Sequence, residues 1–423
     1  MRPCRHRSSP AHPRKDSVHS RTTASTVLLG ALALGLAACS TDASAPAADD
    51  TGSGHGAVAN AAELAEPRLG LTTIDPSGAV SHLDLLDETV TGLGTIGAPS
   101  AMTTDGRYLF AQTDAGVEIV DSGVWTWDHV DHFHYYRADP RLIGTVEGSG
   151  TAVVATTNLS TTGGTGLFFP DSGEAVLLDT EALSKGAIVE RFRKDVEPGP
   201  GMVVPVGSSA LVTEGSGSGA AVAGYDSDGE PTGLREACPD PAGTITTRVG
   251  AVIGCSDGAL LASIEDEELV VERIPYPAGT TAPPAASFDN REGRPTVAGL
   301  AGDAGIWLLD TRERSWSLLP SPAPLAQVTA VDDADETVLA LAADGRVLVL
   351  DGSDGAVLAE TAPLVADTTA DGSRPVLIAD QQRAYLSAPA ERKLHEIDYA
   401  DGARLARTFE TATEPAFTAE TGR

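Results

Sequence analysis

The chain has 423 residues and carries 29 Lys and Arg against 60 Asp and Glu, a formal charge of −31. Its 45 Gly and 27 Pro make it rich in turns, while 41% hydrophobic content is enough to build a core. So negative a balance excludes the usual nucleic-acid binder, which needs cations to displace phosphate counterions, and disfavours adsorption to anionic lipid headgroups. A cationic or metallic partner fits better.

Residues 1–38 read as an export signal. Six basic side chains (Arg2, Arg5, Arg7, Arg14, Lys15 and Arg21) precede an apolar run from Val27 to Ala38, too short to span a membrane as a mature helix. The run ends in Leu36-Ala37-Ala38-Cys39, which resembles the lipobox of bacterial lipoproteins, where the signal is cut before the Cys and its sulfur receives a diacylglycerol. The resemblance implies a lipid on Cys39 and a place on the outer face of the bacterial cytoplasmic membrane. Without the leader, 385 residues remain at a net charge of −36. Residues 39–67 are small, polar and without period, and read as a lipidated flexible tether in which His55 is a solvated loop residue. The anchor is the expected membrane contact.

From residue 68 to 423 the chain repeats. A short apolar strand ending in an acid recurs at Asp84, Asp121, Asp179, Asp226, Glu265, Asp310, Asp351 and Asp398, with a mean spacing of about 45 residues. Stretches such as LADGRVLVLDGSDGAVLAET alternate with period two between Gly, Asp and Ser turns, and no amphipathic helical pattern intervenes. These features predict an all-β propeller of eight blades, with seven as the alternative. The acid at each strand end reads as a turn residue.

The interval after Asp121 is 58 residues, the longest of the series, and contains Trp125-Thr-Trp-Asp-His-Val-Asp-His-Phe-His-Tyr-Tyr-Arg137. Three of the six histidines that follow the leader, His129, His132 and His134, fall within six positions. In an extended segment His132 and His134 share a face, and His129 joins them if the chain turns at Val130-Asp131. Neutral imidazole is a common zinc ligand; Asp128 or Asp131 can complete a tetrahedron, or orient a ring by accepting its free N–H. The bland reading is a solvated hairpin with chance histidines. His395 is the reserve ligand, which would have to meet the hairpin across the pore; its place on a repeat strand favours a structural role.

Cys238 and Cys255 are the cysteines left once Cys4 departs with the leader and Cys39 is lipidated. With no further thiol or His nearby to build a metal site, they read as a disulfide in an exported compartment that fixes one blade. Nucleophile-elbow, phosphate-loop and zincin signatures are lacking, and DSDG at 226–229 has no downstream calcium-loop Glu, so no enzyme is expected.

The run DHVDHFHYYR at 128–137, GTGLFFP at 164–170, the Cys238 and GCSDG pair, and the terminal HEIDYADGARLARTF together resemble the AztD family. Those are exported zinc metallochaperones of propeller fold that hand zinc to the solute-binding protein of an ABC transporter. The resemblance implies Zn2+ held by His129, Asp131, His132 and His134, the transporter's binding protein as partner, and a monomer. It carries no second site: the places where relatives hold further His read Gly199-Pro200-Gly201-Met202 and Pro239-Asp240-Pro241 here. The rival reading is a propeller lipoprotein that serves as a docking scaffold. A quinoprotein-like oxidoreductase would share the architecture but lacks a cofactor signature.

Overall fold

The structure, a computed structural model, describes residues 56–129, 132–366 and 374–423. Cys39, His55 and Asp131 lie outside these described residues, as do the leader and most of the tether.

Among the described residues the chain forms nine antiparallel sheets, seven of four strands and two of three. One of the three-stranded sheets is the inserted hairpin described below; the others build a β-propeller. The ring is closed by pairing the two ends of the chain: Phe417–Thr421 lies against Gly70–Ile74, with Thr421 opposite Gly70 and Phe417 opposite Ile74. Pairing the last strand with the first strand of the propeller removes the open edges that a linear array of sheets would leave.

Burial follows position within each sheet. Middle strands are covered on both faces by neighbouring sheets, so they read as continuous apolar runs; Thr337–Ala342 (TVLALA) is buried along its whole length. Outer strands such as Glu190–Asp195 (ERFRKD) stay largely in contact with water and carry the charges. The core is therefore a series of layers between sheets. In one, Leu339, Leu341, Val347 and Val349 of one sheet pack against Leu377, Leu386 and Ile397 of the next.

Seven of the eight acids of the sequence repeat fall at or just beyond the end of the third strand of a four-stranded sheet, and Asp310 ends the middle strand of a three-stranded one. Six of them do the work of a turn. Asp84, Asp121, Asp179, Asp226, Asp310 and Asp351 each accept the backbone N–H two residues on, at 2.8–3.0 Å. Asp179 also caps the short helix Thr180–Ser184.

Cys238 and Cys255 are bonded, and both are buried. Cys238 follows the outer strand Pro231–Ala237 of one sheet, whereas Cys255 ends the second strand Ala251–Cys255 of the next. The bond thus ties two neighbouring sheets together rather than fixing one blade, because the second Cys belongs to the following sheet. Closing a loop with a sequence separation of 17 is worth about 3 kcal/mol in the chain-entropy account. Cys238→Ser should lower stability by roughly that amount and leave metal binding unchanged, read by thermal unfolding with and without reductant. A variant as stable as the parent, or one that loses zinc while folded, would contradict this role.

Candidate metal centre

The over-long repeat is an insertion between the third and fourth strands of one sheet. Arg141–Val146 returns to pair with Gly116–Asp121, and the intervening chain forms a hairpin, Val124–Asp128 against Phe133–Arg137. The root of this hairpin is rigid. Arg107, fully buried, donates from Nε and Nη2 to the two carboxylate oxygens of Asp121, each at 2.9 Å. Its guanidinium lies 3.8 Å above the ring of Trp125, and Trp125 stacks on Tyr136 across the hairpin at 5.3 Å. Thr126 is held by the chain end, its N–H donating to Arg423 O and its hydroxyl to Gly422 O, both at 2.7 Å.

Strand alternation divides the hairpin residues between two faces. Trp125, Trp127, His134 and Tyr136 share one; Thr126, Asp128, Phe133 and Tyr135 share the other. Beyond the tip, His129 donates its N–H to His132 O at 2.9 Å, closing the turn that brings the third histidine back. The imidazoles gather as the spacing predicts. His132 Nε2 and His134 Nε2 are 3.0 Å apart, and the His129 and His132 rings stack at 4.8 Å. Trp127 supports the cluster edge-on to His129 at 5.2 Å.

Two carboxylates frame the group in ways the sequence did not settle. Asp128 accepts from Arg248 Nη2 at 2.6 Å and stands on the face away from His134, so it steadies the hairpin. His134 Nδ1 lies 2.7 Å from Glu63 Oε1. Glu63 belongs to Ala62–Leu64, which pairs with Phe133–Arg137 as the third strand of the hairpin sheet. Composition had assigned residues 62–64 to the flexible tether; the structure places them in a sheet. Nothing in the low-complexity stretch around Glu63 marks it as a site residue. Upstream, Gly56 O accepts from Trp125 Nε1 at 3.1 Å. Gly56 sits so close to the hairpin, at a φ of +76°, that a Cβ would lie 2.4 Å from Trp127 Cγ.

Among the described residues no group of three or more His, Cys, Asp or Glu is already arranged to hold a metal ion. The ordered element is the facing pair of Nε2 atoms. Two nitrogens on one tetrahedral zinc lie about 3.3 Å apart when each bond is about 2.0–2.1 Å, so the pair at 3.0 Å needs little adjustment. His395 takes the structural place expected of it. It is buried on its strand with Nδ1 3.1 Å from Thr408 Oγ1, and burial holds its pKa below the usual imidazole value.

The hairpin stands beside the propeller channel. Inner strands, including Ala101–Thr104, Thr244–Thr246 and Leu377–Ala379, line a cavity of about 380 Å³. A wider cavity of about 1130 Å³ reaches from there to Asp128 and Phe133, and Glu292 and Arg423 line both. Three channel carboxyls are pushed up by desolvation: Asp105 to about 6, Asp289 to about 7 and Glu292 to about 7. Asp289 accepts from Gln327 Nε2 at 3.1 Å, and Arg423 stands 3.9 Å from Glu292 while pairing closely with Glu420.

The fold and the inserted hairpin define a β-propeller with a histidine cluster at the channel mouth. No protein-family model matches the chain, and no curated protein matches it. Solved structures do. Apo AztD from Citrobacter koseri superposes with a TM-score of 0.70 at 20% identity, over 84% of this chain and 98% of that one. A second structure of Citrobacter koseri AztD gives 0.71 at 20% identity, over 85% and 99%. Dihydro-heme d1 dehydrogenase NirN in complex with DHE gives 0.51 at 14% identity, over 84% and 76%. At these identities the likeness is one of fold, and in fold this chain is of the AztD type.

The raised carboxyls have a consequence for stability. Each keeps its proton in the folded chain at pH values where the unfolded chain has released it. The native state therefore binds more protons between about pH 4 and about 7, and the contribution of these groups to stability falls as pH rises through that window. Replacing Asp289 by Asn and Glu292 by Gln together should shrink the difference in thermal midpoint between about pH 5 and about pH 8, compared with the parent chain. A difference that stays the same or grows would show that these carboxyls ionise as ordinary ones.

Proposed function

We propose that the protein is an extracytoplasmic zinc carrier that delivers its metal to the solute-binding protein of an ABC transporter. The observation that carries this reading is the pair of imidazole nitrogens, His132 Nε2 and His134 Nε2, facing each other at 3.0 Å on the inserted hairpin. The AztD-type fold and the resemblance of the His-rich run support it. Zinc here is cargo: His132 and His134 supply the first two nitrogens, and His129 and Asp131 are the remaining ligands of the proposed set. His132 is exposed, so an incoming ligand of a partner can approach from that side and replace the protein's ligands one at a time. The strongly negative surface raises the local concentration of cations without selecting among them.

Purified protein should bind one zinc tightly, measured by competition with a chromophoric chelator. The His132→Ala, His134→Ala double variant should lose tight binding while its β-rich circular dichroism stays intact, because the hairpin lies outside the blades. Since zinc and protons compete for the same lone pairs, affinity should also fall as the medium is acidified into the range where imidazole protonates. One-to-one binding of unchanged affinity in the double variant would place the metal elsewhere. No binding by the parent chain would leave the scaffold reading.

The same proposal has the mature chain held at the membrane through Cys39. Cys39→Ala should release the protein into the soluble fraction or leave it with its leader uncut. A fully processed Cys39→Ala protein that still sediments with membranes would refute the lipid anchor.

A further inference from the structure

We propose that Glu63, contributed by the chain ahead of the propeller, is the positioning residue of the imidazole pair: it fixes which ring nitrogen of His134 carries the proton and so presents Nε2 as a lone pair toward His132. The proposal rests on the reading of this pair as a zinc site and adds to it a residue outside the histidine-rich run.

Backbone pairing comes first. Ala62, Glu63 and Leu64 lie opposite Arg137, Tyr136 and Tyr135, so the position of Glu63 along the hairpin is set by strand register. The hydrogen bond from Trp125 Nε1 to Gly56 O holds the same segment a second time, upstream. From this strand Glu63 Oε1 comes within 2.7 Å of His134 Nδ1.

An ionised carboxylate can only accept, so Nδ1 must be the donor in this contact. In the neutral ring the proton then resides on Nδ1, and Nε2 is left as the acceptor. That nitrogen is the one 3.0 Å from His132 Nε2. In the metal-free protein His132 therefore donates its Nε2–H to His134; on zinc binding that proton leaves Nε2 to water and the neutral His132 ring takes one on Nδ1 instead, so that both Nε2 lone pairs face the metal. A carboxylate behind a ligand imidazole also raises its basicity, and loss of such a partner commonly weakens metal binding 10- to 100-fold, to order of magnitude.

The Glu63 side chain is 57% exposed, so it is not a core residue and its replacement leaves the packing of the sheets untouched. The contact makes the segment leading into the propeller part of the site, because displacing Ala62–Leu64 from the hairpin would withdraw the group that orients His134.

The test compares the parent chain with Glu63→Ala and Glu63→Gln. Nitrogen NMR of the metal-free proteins reports the His134 tautomer, and titration with zinc chloride against a chromophoric chelator reports affinity. The expected result is an Nδ1-protonated His134 in the parent, a mixture of tautomers in Glu63→Ala, and a loss of zinc affinity of about 10- to 100-fold in that variant. Glu63→Gln keeps an oxygen acceptor and should restore both the tautomer and most of the affinity. An unchanged tautomer in Glu63→Ala, or an equal loss of affinity in both variants, would overturn the proposal. If the parent chain binds no zinc, the proposed function fails, yet the tautomer readout still decides the role of Glu63.

Discussion

The buried ion pair between Arg107 and Asp121 is the interaction on which the chemistry of this protein depends. Both side chains are almost wholly withdrawn from water, at 0% and 1% exposure, and the pairing is bidentate. Removing one partner of such a pair leaves an uncompensated charge in the interior and typically destabilises by about 3–5 kcal/mol. Asp121 serves several functions at once. It ends a propeller strand, caps the turn at Gly123, accepts from Arg141 at 3.2 Å and holds the guanidinium against which Trp125 packs. The inserted hairpin starts three residues later, at Val124. Its base is therefore anchored in the core, while His132 is exposed.

Ring closure reinforces this placement. The strand that seals the propeller, Phe417–Thr421, is followed at once by the carbonyls that hold Thr126. Glu420, at the end of the same strand, pairs with Arg423 beside the channel. The hairpin is thus fixed to the insertion point on one side and to the closing strand on the other, and the imidazoles keep a defined position relative to the channel mouth.

Much of the architecture could be read from the sequence because its signals are local. Asp84 through Asp398 mark strand ends because the chain must turn there, and the six carboxylates that cap their own turns leave a visible repeat. The hairpin was legible for a similar reason: three histidines within six positions, in the longest repeat interval, can lie together without help from distant residues. What the sequence hid depends on long-range pairing. Glu63 meets His134 across 71 positions, through a three-residue strand in a stretch whose composition reads as tether. The span of the Cys238–Cys255 bond across two sheets follows from how neighbouring blades pack, which the cysteine spacing does not encode. The raised pKa values of Asp105, Asp289 and Glu292 likewise arise only when separate inner strands converge on one channel.

Zinc is directly visible by anomalous scattering, which makes crystals grown with the metal and measured on both sides of its absorption edge the most direct test of the histidine hairpin. The account predicts one anomalous peak between His132 Nε2 and His134 Nε2, roughly 2.0–2.1 Å from each. A peak among the channel carboxyls, or anywhere else with none at the hairpin, would contradict it.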